Sequence, residues 1–170
     1  MSNARNLANL LGTSATIPSG KVVSASLPTG TVLQVKRAFT TTVTTLNASY
    51  QDVGLSIDIT PLSTSNKILL IGNFIGSTAS NVGIAFRFLK DTTEIYNPSV
   101  DDGLGEFFYY SSGAGGYMNA SIDYLDSPSS TSQVTYKVQS RVYISGSAGF
   151  GIAGATRNST NSFVAMEVAD

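Results

Sequence analysis

An all-β fold, an antiparallel jelly-roll sandwich with a short helical or extended N-terminal anchor, is what this sequence predicts, on three observations. From Thr31 onward, apolar and polar residues alternate as they do in strands with one face in a core and one in water. Turn signals recur near the ~8–12-residue spacing of antiparallel sandwiches, and no helical pattern separates the strands, which argues against βαβ units. Charged residues are only 12% of the 170 while hydrophobic ones reach 42%, so the polar faces must be built from Ser, Thr, Asn and Gly.

Taken in order, residues 3–11 carry the helical pattern. Leu7, Leu10 and Leu11 fall on one stripe, Ser2 or Asn3 can cap the start, and Gly12 can end it. Isolated helices need ~12–15 residues even in good sequences, so this stripe requires a partner surface. Residues 12–30 are a Thr/Ser/Gly stretch punctuated by Pro18 and Pro28 and read as an extended linker. The expected division is therefore an anchor and linker over 1–30 and a sandwich domain over 31–170.

The strands follow. Val32, Gln34 and Lys36 alternate with Leu33 and Val35, and Phe39, Thr41, Val43 and Thr45 line one face of a Thr-rich strand. Leu55, Ile57 and Ile59 alternate with polar residues before Pro61 and the turn Ser63-Thr64-Ser65-Asn66. Lys67-Ile68-Leu69-Leu70-Ile71 is a continuous apolar run, as expected of a strand buried on both faces. Val82, Ile84, Phe86 and Phe88 form the next face, and Lys90 to Thr93 turn the chain toward Ile95-Tyr96. Phe107 to Tyr110 read as an aromatic strand, and Tyr117 to Leu125 as another. Val134 to Ile144 is the clearest strand, apolar at Val134, Tyr136, Val138 and Val142. Gly146, Gly149, Gly151 and Gly154 interleave with Phe150 and Ile152, which suits a strand lying against another backbone; Phe163 to Val168 end the fold.

Composition excludes several chemistries. With no His and no Cys, the chain has no Ser-His triad, Cys nucleophile, imidazole or thiolate metal site, or disulfide. A net charge of -1 predicts no strong pull toward nucleic acid or anionic membrane. No stretch approaches the ~20 apolar residues of a membrane-spanning helix, and the start does not read as an export signal. No Gly-rich stretch has the ending of a phosphate-cradling loop. Catalysis and a bound cofactor are not expected.

Four local patterns carry a resemblance. They are Ala4-Arg5-Asn6-Leu7-Ala8-Asn9-Leu10-Leu11-Gly12; Ile59-Thr60-Pro61-Leu62-Ser63 leading through Asn66-Lys67-Ile68-Leu69-Leu70; Phe86-Arg87-Phe88-Leu89-Lys90-Asp91; and Tyr136-Lys137-Val138-Gln139 with Ser162 to Val168. In order and spacing they resemble the trimeric jelly-roll modules of bacteriophage virion proteins, of tail-fibre or head-decoration type, distantly similar to the complement and tumour-necrosis-factor trimer fold. Thr92-Thr93 stand where such modules often carry Gly, and residues 94–130 lie outside any match. The resemblance implies a homotrimeric structural or adhesive part of a phage particle, made in the host cytoplasm and displayed on the virion surface.

That frame assigns candidate roles. Arg5, Leu7, Leu10 and Leu11 form a virion anchor that docks on a capsid or tail protein of the same phage, three copies gaining avidity; the bland alternative is a segment folded back on its own sandwich. Phe163, Met166 and Tyr109 are subunit-interface candidates, because the terminal strand is apolar on both faces. Tyr110 and Tyr117 are candidates for contact with a host surface glycan, against the plainer reading of core and surface tyrosines. Asp91, Glu94, Asp101, Asp102 and Glu106 could hold Ca²⁺ or act as general acids, but beside Gly103 and Gly105 they read first as a solvated loop. Glu167, amid apolar residues, calls for a partner such as Arg141, Arg157 or Lys137.

Overall fold

The computed structural model describes residues 27–96, 115–143, 146–151 and 160–170. The candidate anchor residues Arg5, Leu7, Leu10 and Leu11, the aromatics Tyr109 and Tyr110, the carboxyl groups of 101–106, and Arg157 lie outside this set.

Alternation of apolar and polar residues is realised as ten strands among the described residues: β1 (Val32–Thr40), β2 (Thr44–Leu46), β3 (Gln51–Ile59), β4 (Lys67–Thr78), β5 (Gly83–Lys90), β6 (Thr93–Tyr96), β7 (Gly116–Asp126), β8 (Val134–Tyr143), β9 (Ala148–Phe150) and β10 (Asn161–Val168). They form two antiparallel sheets packed as a sandwich. In sheet I, β4 pairs along its whole length with β7 on one edge, while β10 and then β9 share the other; β1 lies outside β10 and β2 outside β9. Sheet II has the order β3-β8-β5-β6. The chain passes from β3 in sheet II to β4 in sheet I, back to β5 and β6, across to β7, back to β8 and finally to β9 and β10. This repeated crossing is the connectivity of a jelly roll.

β4 differs from the sequence expectation in one respect and has a second feature of its own. The apolar run Lys67 to Ile71 is covered on one side only: Ile68 and Leu70 are fully buried, while Leu69 and Ile71 are half-buried on the outer surface. Its partner edge also changes strand partway. β10 pairs with β4 as far as Asn73 and β9 takes over at Gly76, leaving the Ile75 peptide between them. Asn161 fills that gap, its Oδ1 accepting the Ile75 N–H at 2.5 Å, and the Gly151 N–H donates to the Ile75 carbonyl at 2.8 Å. The stretch expected as one Thr-rich strand through Thr41, Val43 and Thr45 is broken at 41–43 into β1 and β2, which follow the two strands sharing the β4 edge.

Side chains from both sheets meet in an aromatic spine. Phe74 of β4, Phe86 of β5 and Phe150 of β9 stand with ring centroids 5.1–6.0 Å apart, and Phe88 packs on Phe163 at 5.2 Å. Tyr96 and Tyr124 stack at 4.9 Å where the edge strands β6 and β7 face each other. The Phe74 ring folds back over Gly72, where a Cβ would lie 2.2 Å from its Cζ. Gly72→Ala therefore overpacks the spine and is expected to destabilise the fold by about 1–3 kcal/mol. A lowered denaturation midpoint in guanidinium with an unchanged slope is the check.

Turns follow local chemistry. Asp91 turns the β5–β6 hairpin with a φ of 56°, which Asp tolerates, so this hairpin works without Gly. Its N–H donates to the Thr135 carbonyl at 2.7 Å and its Oδ1 accepts the Thr135 N–H at 3.0 Å, tying the hairpin to β8. In β3, Gly54 has a φ of 77° within a bulge between Asp52 and Ser56.

Candidate functional site

The two outer faces of the sandwich differ in chemistry. On sheet II, Asp52, Ser56 and Asp58 of β3 and Thr135, Lys137, Gln139 and Arg141 of β8 stand outward. They form a bonded polar layer. Arg87 donates through Nε and Nη2 to Gln139 Oε1 at 2.8 and 2.6 Å and through Nη1 to Glu94 Oε2 at 2.6 Å, and Gln139 Nε2 donates to Asp52 Oδ1 at 2.8 Å. The guanidinium groups of Arg87 and Arg141 both stand over the Tyr50 ring, 4.2 and 5.0 Å from its centroid. This is an ordinary solvated face.

Sheet I presents something else. Strand register places side chains in rows across it. Val35, Met166, Leu69 and Leu125 form one apolar row through β1, β10, β4 and β7. Val32 and Val168 extend it at one end. The next row, Arg37, Val164, Ile71 and Asp123, is apolar in the middle with a cation on one edge and a carboxyl group on the other. Phe39 follows, with the Arg37 guanidinium 5.7 Å from its ring. Exposure at these positions is high: Val32 51%, Val35 55%, Phe39 65% and Leu125 55%. Single exposed apolar residues are common; here several stand as neighbours on one face, with Arg37 and Asp123 at its edges.

Further along β4 the same face becomes polar. Thr45, Gly149, Ser77 and Tyr117 make a row across β2, β9, β4 and β7. Where Gly149 contributes no side chain, a hollow of about 320 Å³ opens beside Thr45 and Ser77, and a second of about 260 Å³ lies between Thr78 and Tyr117.

Beneath the apolar rows, the inward row Gln34, Glu167, Ile68 and Asp126 closes the core at one end with polar groups. Glu167 is fully buried, and its donors are neutral rather than Arg141 or Lys137. Its Oε1 accepts the Leu62 N–H at 2.7 Å and Asn66 Nδ2 at 2.6 Å, and its Oε2 accepts Gln34 Nε2 at 2.5 Å. The carboxyl group thus binds the β3–β4 turn and β1 to β10, which no short-range pattern could have revealed. Asp126 in β7 performs the matching task across the sheets. Its Oδ2 accepts the Tyr136 hydroxyl at 2.6 Å, and Lys90 Nζ lies 3.1 Å away. Burial, and then the Asp126 carboxyl beside it, push the Tyr136 hydroxyl far above the ordinary tyrosine range.

Of the expected interface residues, Met166 sits at the centre of the apolar row. Phe163 is instead enclosed within the single chain on the inner face of β10, so it belongs to the core and offers no surface. Tyr117 is 56% exposed at the rim of the smaller hollow. Asp91 and Glu94 are engaged with Thr135 and Arg87, and among the described residues no three acidic groups stand together as a metal site. No protein-family model matches the chain, and no curated protein matches it.

Proposed function

We propose that this protein is a structural, non-catalytic module of a bacteriophage particle, a surface decoration or fibre part. In this reading it assembles as a homotrimer through the outer face of sheet I and is held to the virion by its N-terminal segment. The observation that carries the assembly is the row Val35, Met166, Leu69 and Leu125, set against the bonded polar face of sheet II. Such a face resembles a core cut open, as subunit interfaces do. Arg37 and Asp123 at opposite ends of one row complement each other between copies, and closed rotational symmetry satisfies every copy equally. The phage setting rests on the four sequence motifs and on their order.

Light scattering on the purified chain should give three times its 17.8 kDa mass, and Val35→Lys with Met166→Lys should give a folded monomer. A wild-type monomer at all concentrations, or an unchanged trimer in the double variant, would contradict this reading. Removal of residues 2–12 should leave the trimer intact while abolishing its retention on particles.

A further inference from the structure

We propose that copies of this chain meet head to tail about an axis running along the strands of sheet I. The β1 edge of one copy then lies against the β7 edge of the next, and Arg37 pairs with the partner's Asp123. This deepens the trimer reading and rests on it, adding which edges meet and what matches them.

Charge is segregated between those two edges. β1 carries Lys36 and Arg37 and no acid, whereas β7 carries Asp123 and Asp126 and no base. Asp126 is buried and engaged with Lys90 and Tyr136, while Arg37 and Asp123 both stand exposed on the outer face. Within one chain these two cannot meet. The row Arg37, Val164, Ile71 and Asp123 crosses four strands and, at ~4.8 Å per spacing, is about 14 Å long. The ion pairs among the described residues are Lys67 with Asp170, Arg87 with Glu94, and Lys90 with Asp126, so neither Arg37 nor Asp123 finds its opposite charge there. Arg37 instead stands over the Phe39 ring at 5.7 Å, which holds its guanidinium along the edge. A cation and an anion at the two ends of an apolar row are complementary charges for a neighbouring copy to join.

Register sets the direction of the axis. Through β10 and β4, Val35 is level with Leu125, Arg37 with Asp123, and Phe39 with Ser121. A rotation about an axis along the strands moves no residue up or down, so positions level within one chain stay level across the junction between two. Val35 then meets the partner's Leu125, apolar on apolar, and Arg37 meets the partner's Asp123. A two-fold axis set across the strands would instead place β1 on β1 and β7 on β7, like charge on like. Each copy offers its β1 edge to one neighbour and its β7 edge to the other, and a closed ring leaves neither edge spare.

The test is sedimentation equilibrium on the full chain as wild type, Arg37→Asp, Asp123→Arg and the double variant. Both positions are exposed, so the variants fold, which circular dichroism verifies. Each single reversal sets like charges at every contact and should raise the concentration of half-dissociation about tenfold or more. The double variant exchanges the two edges and should return to the wild-type value. An equimolar mixture of the single variants reads the ring itself. Two charge types cannot alternate around three positions, so one like-charged contact remains and the mixture should recover only part of the lost strength. Full recovery as a dimer or tetramer would uphold the pairing of Arg37 with Asp123 and refute the ring of three. A wild-type trimer that tolerates both reversals, as it would if a segment of the same chain covered these charges, overturns the proposal and leaves the trimer reading standing. A double variant as weak as the single ones does the same, whereas a wild-type monomer at every concentration refutes both.

Discussion

Glu167→Ala should lower the folding free energy by about 3–5 kcal/mol, because it strands buried donors rather than merely removing atoms. Asn66 is buried, and both its Nδ2 and the Leu62 N–H lose their acceptor at once, while Gln34 Nε2 keeps only the Thr60 carbonyl. Glu167→Gln retains an acceptor for Leu62 and Asn66 and should cost less, about 1–2 kcal/mol. Glu167 faces inward next to Met166, which faces outward, so the Ala variant should also loosen the proposed trimer, since the strand supporting the apolar row loses its tie to the β3–β4 turn. Urea unfolding at one fixed protein concentration measures the first effect, and the concentration dependence of the midpoint measures the second.

The second large effect is alkaline. The Tyr136 hydroxyl is held neutral in the fold, well above its ordinary value, by burial and by Asp126. In the unfolded chain a tyrosine ionises near pH 10. Below that pH both states keep the proton, and the stabilisation is fully present. Above it the unfolded chain releases the proton while the fold retains it, so stability falls by up to about 1.4 kcal/mol per pH unit until the folded hydroxyl itself ionises. Tyr136→Phe should abolish this contribution to the slope and cost about 1 kcal/mol near neutrality for the lost hydrogen bond. Thermal melts of both proteins from pH 8 to 12 read the difference between their slopes; equal slopes would show that Tyr136 is not its source.

Much of the architecture was legible because burial on one face leaves a repeating trace. Leu55, Ile57 and Ile59, or Val134, Tyr136 and Val138, announce both a strand and its inner side. The same logic misleads where an outer face is itself apolar. Leu69 and Ile71 looked like residues of a doubly buried strand, and Phe163 like a contact between subunits, because hydrophobicity does not say which partner covers it. Register supplies what periodicity lacks. Only the pairing of β10 with β1 and β4 puts Met166 between Val35 and Leu69 and turns Phe163 inward. The polar ties were hidden for a related reason. Glu167 and Asn66 are brought together by the pairing of β10 with β4, and Tyr136 and Asp126 by the packing of one sheet on the other, and a carboxyl group surrounded by neutral amides has no charge pattern to betray it. Gly115 is required by a close backbone approach, since a Cβ there would lie 2.5 Å from the Thr78 carbonyl oxygen, and only the pairing of β7 with β4 reveals that neighbour.

The pairing of β1 with β10 carries a consequence for how the chain acquires its shape. Val32 meets Val168, and the Ala169 N–H donates to the Thr31 carbonyl, so β1 completes its ladder only when β10, the last of the described strands, is in place. β4 is likewise left with one bare edge until β9 and β10 have been synthesised. On the ribosome, sheet II can pair β3, β8, β5 and β6 before sheet I is whole. Such sequence-distant contacts place the protein among the slow folders, in the range of milliseconds to seconds. Until β9 and β10 arrive, the unpaired edge of β4 is a place where strands from other nascent copies can add.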